Sequence, residues 1–243
     1  MLVNVDAKQL EVICAAYLSK DRVLYDEIKN EVDIHTANQE RFKLPTRLIA
    51  KTFKFRLIYG GSAYSYANDP DFSEVSTSEK YWQNVINEYY EKYVGLGEWH
   101  TNLITTVTSS GKLIMPTGRI YNFKSEARRG DIVWPRTKIL NYPVQGLGAD
   151  LMAIARVSFY RRFKAAKFTG VLINTIHDSI VVDVPLHEVE AVCKLFIEVF
   201  NDIPKNFERV FGVPFNLPTR CEVSYGMDKF NLTEYTGNGI ILV

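Results

Sequence analysis

Short apolar runs alternate with stretches of helical spacing along this chain. Leu2 to Val5 has the pattern of a buried strand and ends at Asp6, after which Leu10, Ile13, Cys14 and Tyr17 repeat at helical intervals over 9–18. A strand is therefore expected to run straight into a helix. After Pro45, which suits a helical first turn, residues 46–59 are expected as a helix that Gly60-Gly61 stops. A second long helix is expected over 78–94, ahead of Gly95 and Gly97. Thr, Val and Ile alternate across 105–123 around Ser110-Gly111 and Thr117-Gly118, which predicts short β-segments. Residues 145–163 and 186–201 predict two further helices. Two β-branched runs, 171–176 and 180–184, flank His177-Asp178-Ser179 and predict a hairpin with a polar tip, and 220–223 predicts a last strand. The fold class expected is α+β, a small antiparallel sheet of at least three strands accompanied by more helices.

Two aspartates stand at unusual places in that pattern, Asp6 at the end of an apolar strand and Asp178 at the tip of an apolar hairpin. If the two strands pair, the carboxylates converge and repel unless cations lie between them. Hard divalent ions with oxygen ligands supply that charge, and a pair of them suits phosphoryl transfer. Taken alone, each aspartate has a commoner use, as a helix cap for Asp6 and a turn residue for Asp178. On the helix 46–59, Arg47, Lys51, Phe55 and Tyr59 recur at intervals of four and share one face. Two cations near the helix start followed by two rings match a nucleoside triphosphate. The same stripe is also compatible with a partly buried amphipathic face whose cations snorkel.

Composition narrows the field. The 243 residues are 47% hydrophobic, enough for a real core, and no apolar run is long enough to cross a membrane. Three scattered cysteines, Cys14, Cys193 and Cys221, form no CxxC pair and suit buried thiols in a reducing compartment. The net charge is only +1, but its distribution is uneven. Arg119, Lys124, Arg128, Arg129, Arg136 and Lys138 face two acidic residues over 119–138, and 151–170 holds five basic residues and no acidic one. A cationic face for nucleic acid and solvated helix surfaces are both compatible with such clusters.

The ordered motifs carry a resemblance. Val5-Asp6-Ala7-Lys8-Gln9-Leu10-Glu11, Asp33-Ile34-His35-Thr36 and Arg47-x-x-Ala50-Lys51-x-x-x-Phe55-x-x-x-Tyr59-Gly60 resemble motifs A and B of family A DNA polymerases. Asn141-Tyr142-Pro143-Val144-Gln145-Gly146 with Ala149-Asp150 resembles the family's palm helix, and His177-Asp178 resembles motif C. Glu222-Val223, Gly226 and Phe230 are similar to its C-terminal segment. The resemblance implies a polymerase palm over 1–40 and 131–243 with helical fingers over 41–130, thumb and exonuclease being absent. It implies DNA-directed DNA synthesis in the cytoplasm, from deoxynucleoside triphosphates on a primer-template. Asp6 and Asp178 would hold two Mg2+ ions, with Mn2+ as a substitute. Arg47 and Lys51 would bind the triphosphate, Lys51 also protonating the leaving pyrophosphate. Glu11 would exclude a ribose 2′-hydroxyl, with Phe55, Tyr59 and His35 also at the nucleotide, while Arg119, Asn141, Gln145 and His177 would contact DNA.

Some positions depart from the family pattern. Ser179 stands where glutamate usually follows the motif C aspartate, Lys54 and Arg56 replace asparagine and glycine, and Ala7 and Lys8 replace tyrosine and serine. The thumb and first palm strands expected ahead of motif A are not in these residues. The expectation is a second polypeptide that supplies them, with or without an exonuclease, in a split polymerase of phage type. Two other functions fit less of the pattern: a non-catalytic DNA-binding scaffold subunit, and a phage-type RNA polymerase relative, against which Glu11 and Phe55 argue.

Overall fold

The computed structural model describes residues 1–128 and 130–240, so Arg129 of the basic cluster lies outside the described residues. In chain order the first half holds β1 (Leu2–Ala7), α1 (Leu10–Ser19), α2 (Arg22–Lys29), α3 (Ile34–Arg41), α4 (Arg47–Ile58), α5 (Ala63–Ala67), α6 (Glu79–Lys92) and α7 (Val94–Ser110). The second half holds β2 (Lys112–Ile114), β3 (Ile120–Asn122), β4 (Glu126–Arg128), β5 (Asp131–Val133), α8 (Arg136–Ala165), β6 (Val171–Ile176), β7 (Ser179–Asp183), α9 (Val189–Asn201), α10 (Ile203–Phe211), β8 (Cys221–Gly226) and β9 (Thr233–Glu234). The fold is α+β, as expected. No helix among the described residues is long and apolar enough to cross a membrane.

The chain divides into two compact units, one of Met1–Ile13 with Gly146–Val243, the other of Cys14–Gln145. The palm and fingers limits drawn from the resemblance, at 40/41 and 130/131, both fall inside the second unit. In the first unit a five-stranded antiparallel sheet runs β6-β7-β1-β8-β9. Alternation along β1 buries Val3, Val5 and Ala7 and turns Leu2, Asn4 and Asp6 to the less covered face. Helix α9 packs on β1 and β8, and its Phe196 stacks on Phe159 of α8 with ring centroids 4.0 Å apart. Both rings are fully buried.

The core of the second unit is aromatic. Phe53 of α4 meets Tyr66, Trp82 and Tyr89, each within 6 Å between ring centroids. The expected stop of α4 is built as a Schellman turn: Gly60, at φ +89°, donates its N–H to the Leu57 carbonyl at 2.9 Å, and Gly61 donates to that of Arg56 at 2.8 Å.

Several expected elements change. Residues 105–110 are the end of α7, not a β-segment, and only 112–114 and 120–122 form strands in that region. Leu103 and Val107 pack one helical turn apart against Leu113, Phe123, Ile139 and Leu140, and this burial overrides the strand preference of Thr, Val and Ile. Gly95 and Gly97 do not end a helix but lie in the first turn of α7, after a break at Tyr93. A Cβ at Gly95 would meet the Asp21 Cα at 2.9 Å, so glycine is needed there for close approach and not for a stop. The third helix begins at Arg136 instead of 145 and continues through Pro143. Helices α2, α3, α5 and α10 are additional to the expected elements.

Candidate active site

The carboxylates belong to the first unit. In the register of β1, Asp6 lies directly opposite Ser179 on one side and Glu222 on the other, so all three side chains share the face that β1 leaves less covered. Asp178 precedes Ser179 in the β6–β7 turn, and its carbonyl accepts the Ala7 N–H at 3.0 Å. Adjacent strands thus bring Asp6 and Asp178 together. The Asp6 carboxyl is pushed up to about 6 by burial first, then by the negative charges of Asp178, Glu222 and Glu11. One cation offsets part of that charge, Lys8, whose Nζ is 3.0 Å from Glu222 Oε1.

Carboxylates that repel one another are donors of the kind a hard divalent cation takes, though among the described residues no group of three His, Cys, Asp or Glu is placed to hold a metal ion. Mg2+ is commonly held by one or two carboxylates, the remaining ligands being water and substrate phosphate.

The cationic helix belongs to the second unit. Thr46 caps α4, its Oγ1 accepting the Ile49 N–H at 3.1 Å. Ala50, Phe53, Lys54, Leu57 and Ile58 form the buried face, whereas Arg47 and Lys51 are exposed and Phe55 and Tyr59 half-buried. The expected stripe is therefore the open face of the helix, not its packed one. Lys51 Nζ lies 5.9 Å from the centre of the Phe55 ring and Lys54 Nζ 5.4 Å from it. His35 is buried, its ring 6.0 Å from that of Phe55, and burial followed by the Lys54 and Arg47 charges depresses its pKa to about 3. It is a neutral, buried group beside the Phe55 ring.

The other expected contact residues lie on both units, Arg119, Asn141 and Gln145 on the second and His177 on the first. Arg119 is exposed at the β2–β3 turn. Asn141 and Gln145 lie on α8, Gln145 exposed and Asn141 half-buried. His177, at φ +50°, is exposed at the hairpin tip beside Asp178. Glu11 opens α1, close enough to Asp6 to raise its pKa.

Sequence reasoning assigned no role to two residues that the structure places in these groups. Glu222 figures only in the C-terminal resemblance and had no local signal of closeness to Asp6, which comes from strand pairing across the sheet. Asp33 had one, the Asp-x-x-Thr pattern of a helix cap. Its carboxylate caps α3 and also takes two hydrogen bonds from Arg47, Nε to Oδ2 at 2.9 Å and Nη2 to Oδ1 at 3.1 Å.

Comparisons with known proteins bear on family and fold. The sequence model described as DNA polymerase family A matches residues 1–231. DNA polymerase I of Caldicellulosiruptor bescii is 29% identical over 95% of this chain, and the thermostable DNA polymerase I of Thermus aquaticus 27% identical over 96%. The chain spans 27% of the length of each of these relatives. Among solved structures, the POL domain of Pol1 from M. smegmatis, in complex with DNA primer-template and dNTP, shares the fold with a TM-score of 0.76. That match is 21% identical and covers 93% of this chain and 39% of the other.

Proposed function

Because the chain belongs to DNA polymerase family A, we propose that it carries the nucleotidyl-transfer chemistry of a DNA-directed DNA polymerase. The observation that carries this reading is the pairing of β1 with β7, which sets Asp6 beside Asp178 at an energetic cost that folding alone does not require. Asp6 and Asp178 would hold Mg2+, or Mn2+ in its place, and the ions would supply charge neutralisation to the attacking and leaving oxygens. Arg47 and Lys51 bind the triphosphate of the incoming deoxynucleotide, and Lys51 donates a proton to the leaving pyrophosphate. Phe55 lies against the deoxyribose, supported by His35, and Tyr59 stacks near the templating pair. Glu11 excludes the ribose 2′-hydroxyl. Arg119, Asn141, Gln145 and His177 contact primer or template. Catalysis is chiefly positioning and electrostatic stabilisation.

The edge strand β6, whose Val171 and Ile173 are 56% and 50% exposed, suits coverage by further palm structure.

The experiment is primer extension with Mg2+, by the chain alone and with a co-expressed thumb and N-terminal palm. Incorporation of deoxynucleotides over ribonucleotides, lost in Asp178→Ala, is the expected result. An extension rate untouched by Asp178→Ala would leave the chain a DNA-binding scaffold.

A further inference from the structure

We propose that Asp33 is a positioning residue for the incoming nucleotide, fixing the Arg47 guanidinium by a two-point pair so that only its outer edge meets the triphosphate. The inference rests on the reading of Arg47 as a triphosphate ligand.

The geometry is specific. Arg47 stands in the first turn of α4 with half of its side chain exposed, so an unrestrained guanidinium would sample many rotamers. Asp33 removes that freedom by accepting Nε–H and one Nη2–H together, a fork that only arginine can make. Asp33 is itself immobilised. Its Oδ1 accepts the backbone N–H of His35 at 3.1 Å and of Thr36 at 3.3 Å, and its Oδ2 accepts the Thr36 hydroxyl at 2.9 Å. The hydrogen bond from Arg47, first among several, holds the Asp33 carboxyl well below the usual range, so it stays ionised. Helix α3 packs against α4, which makes the Asp33 anchor and the Arg47 helix one local structure.

Two consequences follow for substrate. The Nε/Nη2 edge of Arg47 faces Asp33 and is closed to a phosphate, whereas both N–H groups of Nη1 and the second of Nη2 remain available. The triphosphate therefore meets the guanidinium end-on. A lysine at this position would keep the charge but could not bridge carboxylate and phosphate in one plane.

The test is fluorescence titration of the full chain with mant-dATP and Mg2+. Asp33→Asn keeps a good helix cap but loses the charge and one arm of the fork. It is expected to weaken binding about tenfold, the order of one charge-assisted hydrogen bond lost. Arg47→Ala is expected to weaken binding at least as much, and Asp33→Asn should add nothing further in the Arg47→Ala background. Arg47→Lys, which leaves the cap in place, should reproduce the loss even if Asp33→Asn melts early. If Arg47→Ala weakens binding while Asp33→Asn binds as well as wild type or better, or if the two losses simply add, the positioning role is overturned and the reading of Arg47 stands. If Arg47→Ala binds mant-dATP unchanged, or the wild-type chain does not bind it, the reading of Arg47 fails and the inference falls with it.

Discussion

Replacing Asp6 with asparagine should stabilise the metal-free protein while abolishing nucleotide transfer. The Asp6 carboxyl rises from an ordinary value of 3.8 to about 6 because burial and three neighbouring carboxylates disfavour its charge. The folded state therefore holds this proton more tightly than the unfolded state, and the group's contribution to stability falls as pH rises from 3.8 to about 6. Above that window the ionised Asp6 costs the fold roughly 3 kcal/mol at most, at about 1.4 kcal/mol per pKa unit. Its half-buried position lets solvent screen the repulsion, so about 1–2 kcal/mol is expected. Asparagine has the same shape and no charge. For a chain of this size the gain corresponds to roughly 2–8 °C in melting temperature. The assay is thermal unfolding followed by circular dichroism in chelator, at a series of pH values from near 4 to near 8. The variant and wild-type curves should coincide at the acid end and separate progressively towards neutrality. Added Mg2+ should then raise the wild-type midpoint and leave Asp6→Asn unmoved, because only the wild type offers the carboxylate pair. A difference independent of pH, or a variant less stable than wild type near pH 8, would refute the reasoning.

Further predictions concern the second unit. His100 is buried, and desolvation first, then the Arg136 charge, depresses its pKa from 6.5 to about 4. A folded pKa below the unfolded one means stability is fully present above 6.5 and is lost as pH falls towards 4; urea midpoints should reveal a loss of about 3 kcal/mol across that window, which His100→Phe removes. Gly95→Ala should destabilise by about 1–3 kcal/mol in urea unfolding, since the added methyl meets backbone at Asp21 and not a side chain that could move. Asp21→Ala should cost about 2–4 kcal/mol by the same measurement, because it strands two buried N–H groups. Those groups are Leu24 N–H, 3.0 Å from Oδ1, and Leu96 N–H, 3.1 Å from Oδ2. Asp21→Asn should cost less, one acceptor remaining.

What the amino-acid sequence determined by itself was whatever depends on neighbours along the chain. The apolar run before Asp6, the hairpin around His177-Asp178 and the α4 stripe of Arg47, Lys51, Phe55 and Tyr59 were all legible, with the Gly60-Gly61 stop, because periodicity, turn chemistry and capping act within a few residues. Tertiary structure decided the rest. The order β7-β1-β8 puts Glu222 beside Asp6 although they stand 216 positions apart in the chain, and which strands become neighbours is decided by packing of the whole sheet. The same holds for the run after Leu103, where packing of Leu103 and Val107 outweighed β-branched composition, and for Gly95, where the approach of Asp21 explains a glycine that reads locally as a helix stop. The Arg47 edge left for substrate was likewise invisible in the stripe, because Asp33, on another helix cap, determines it.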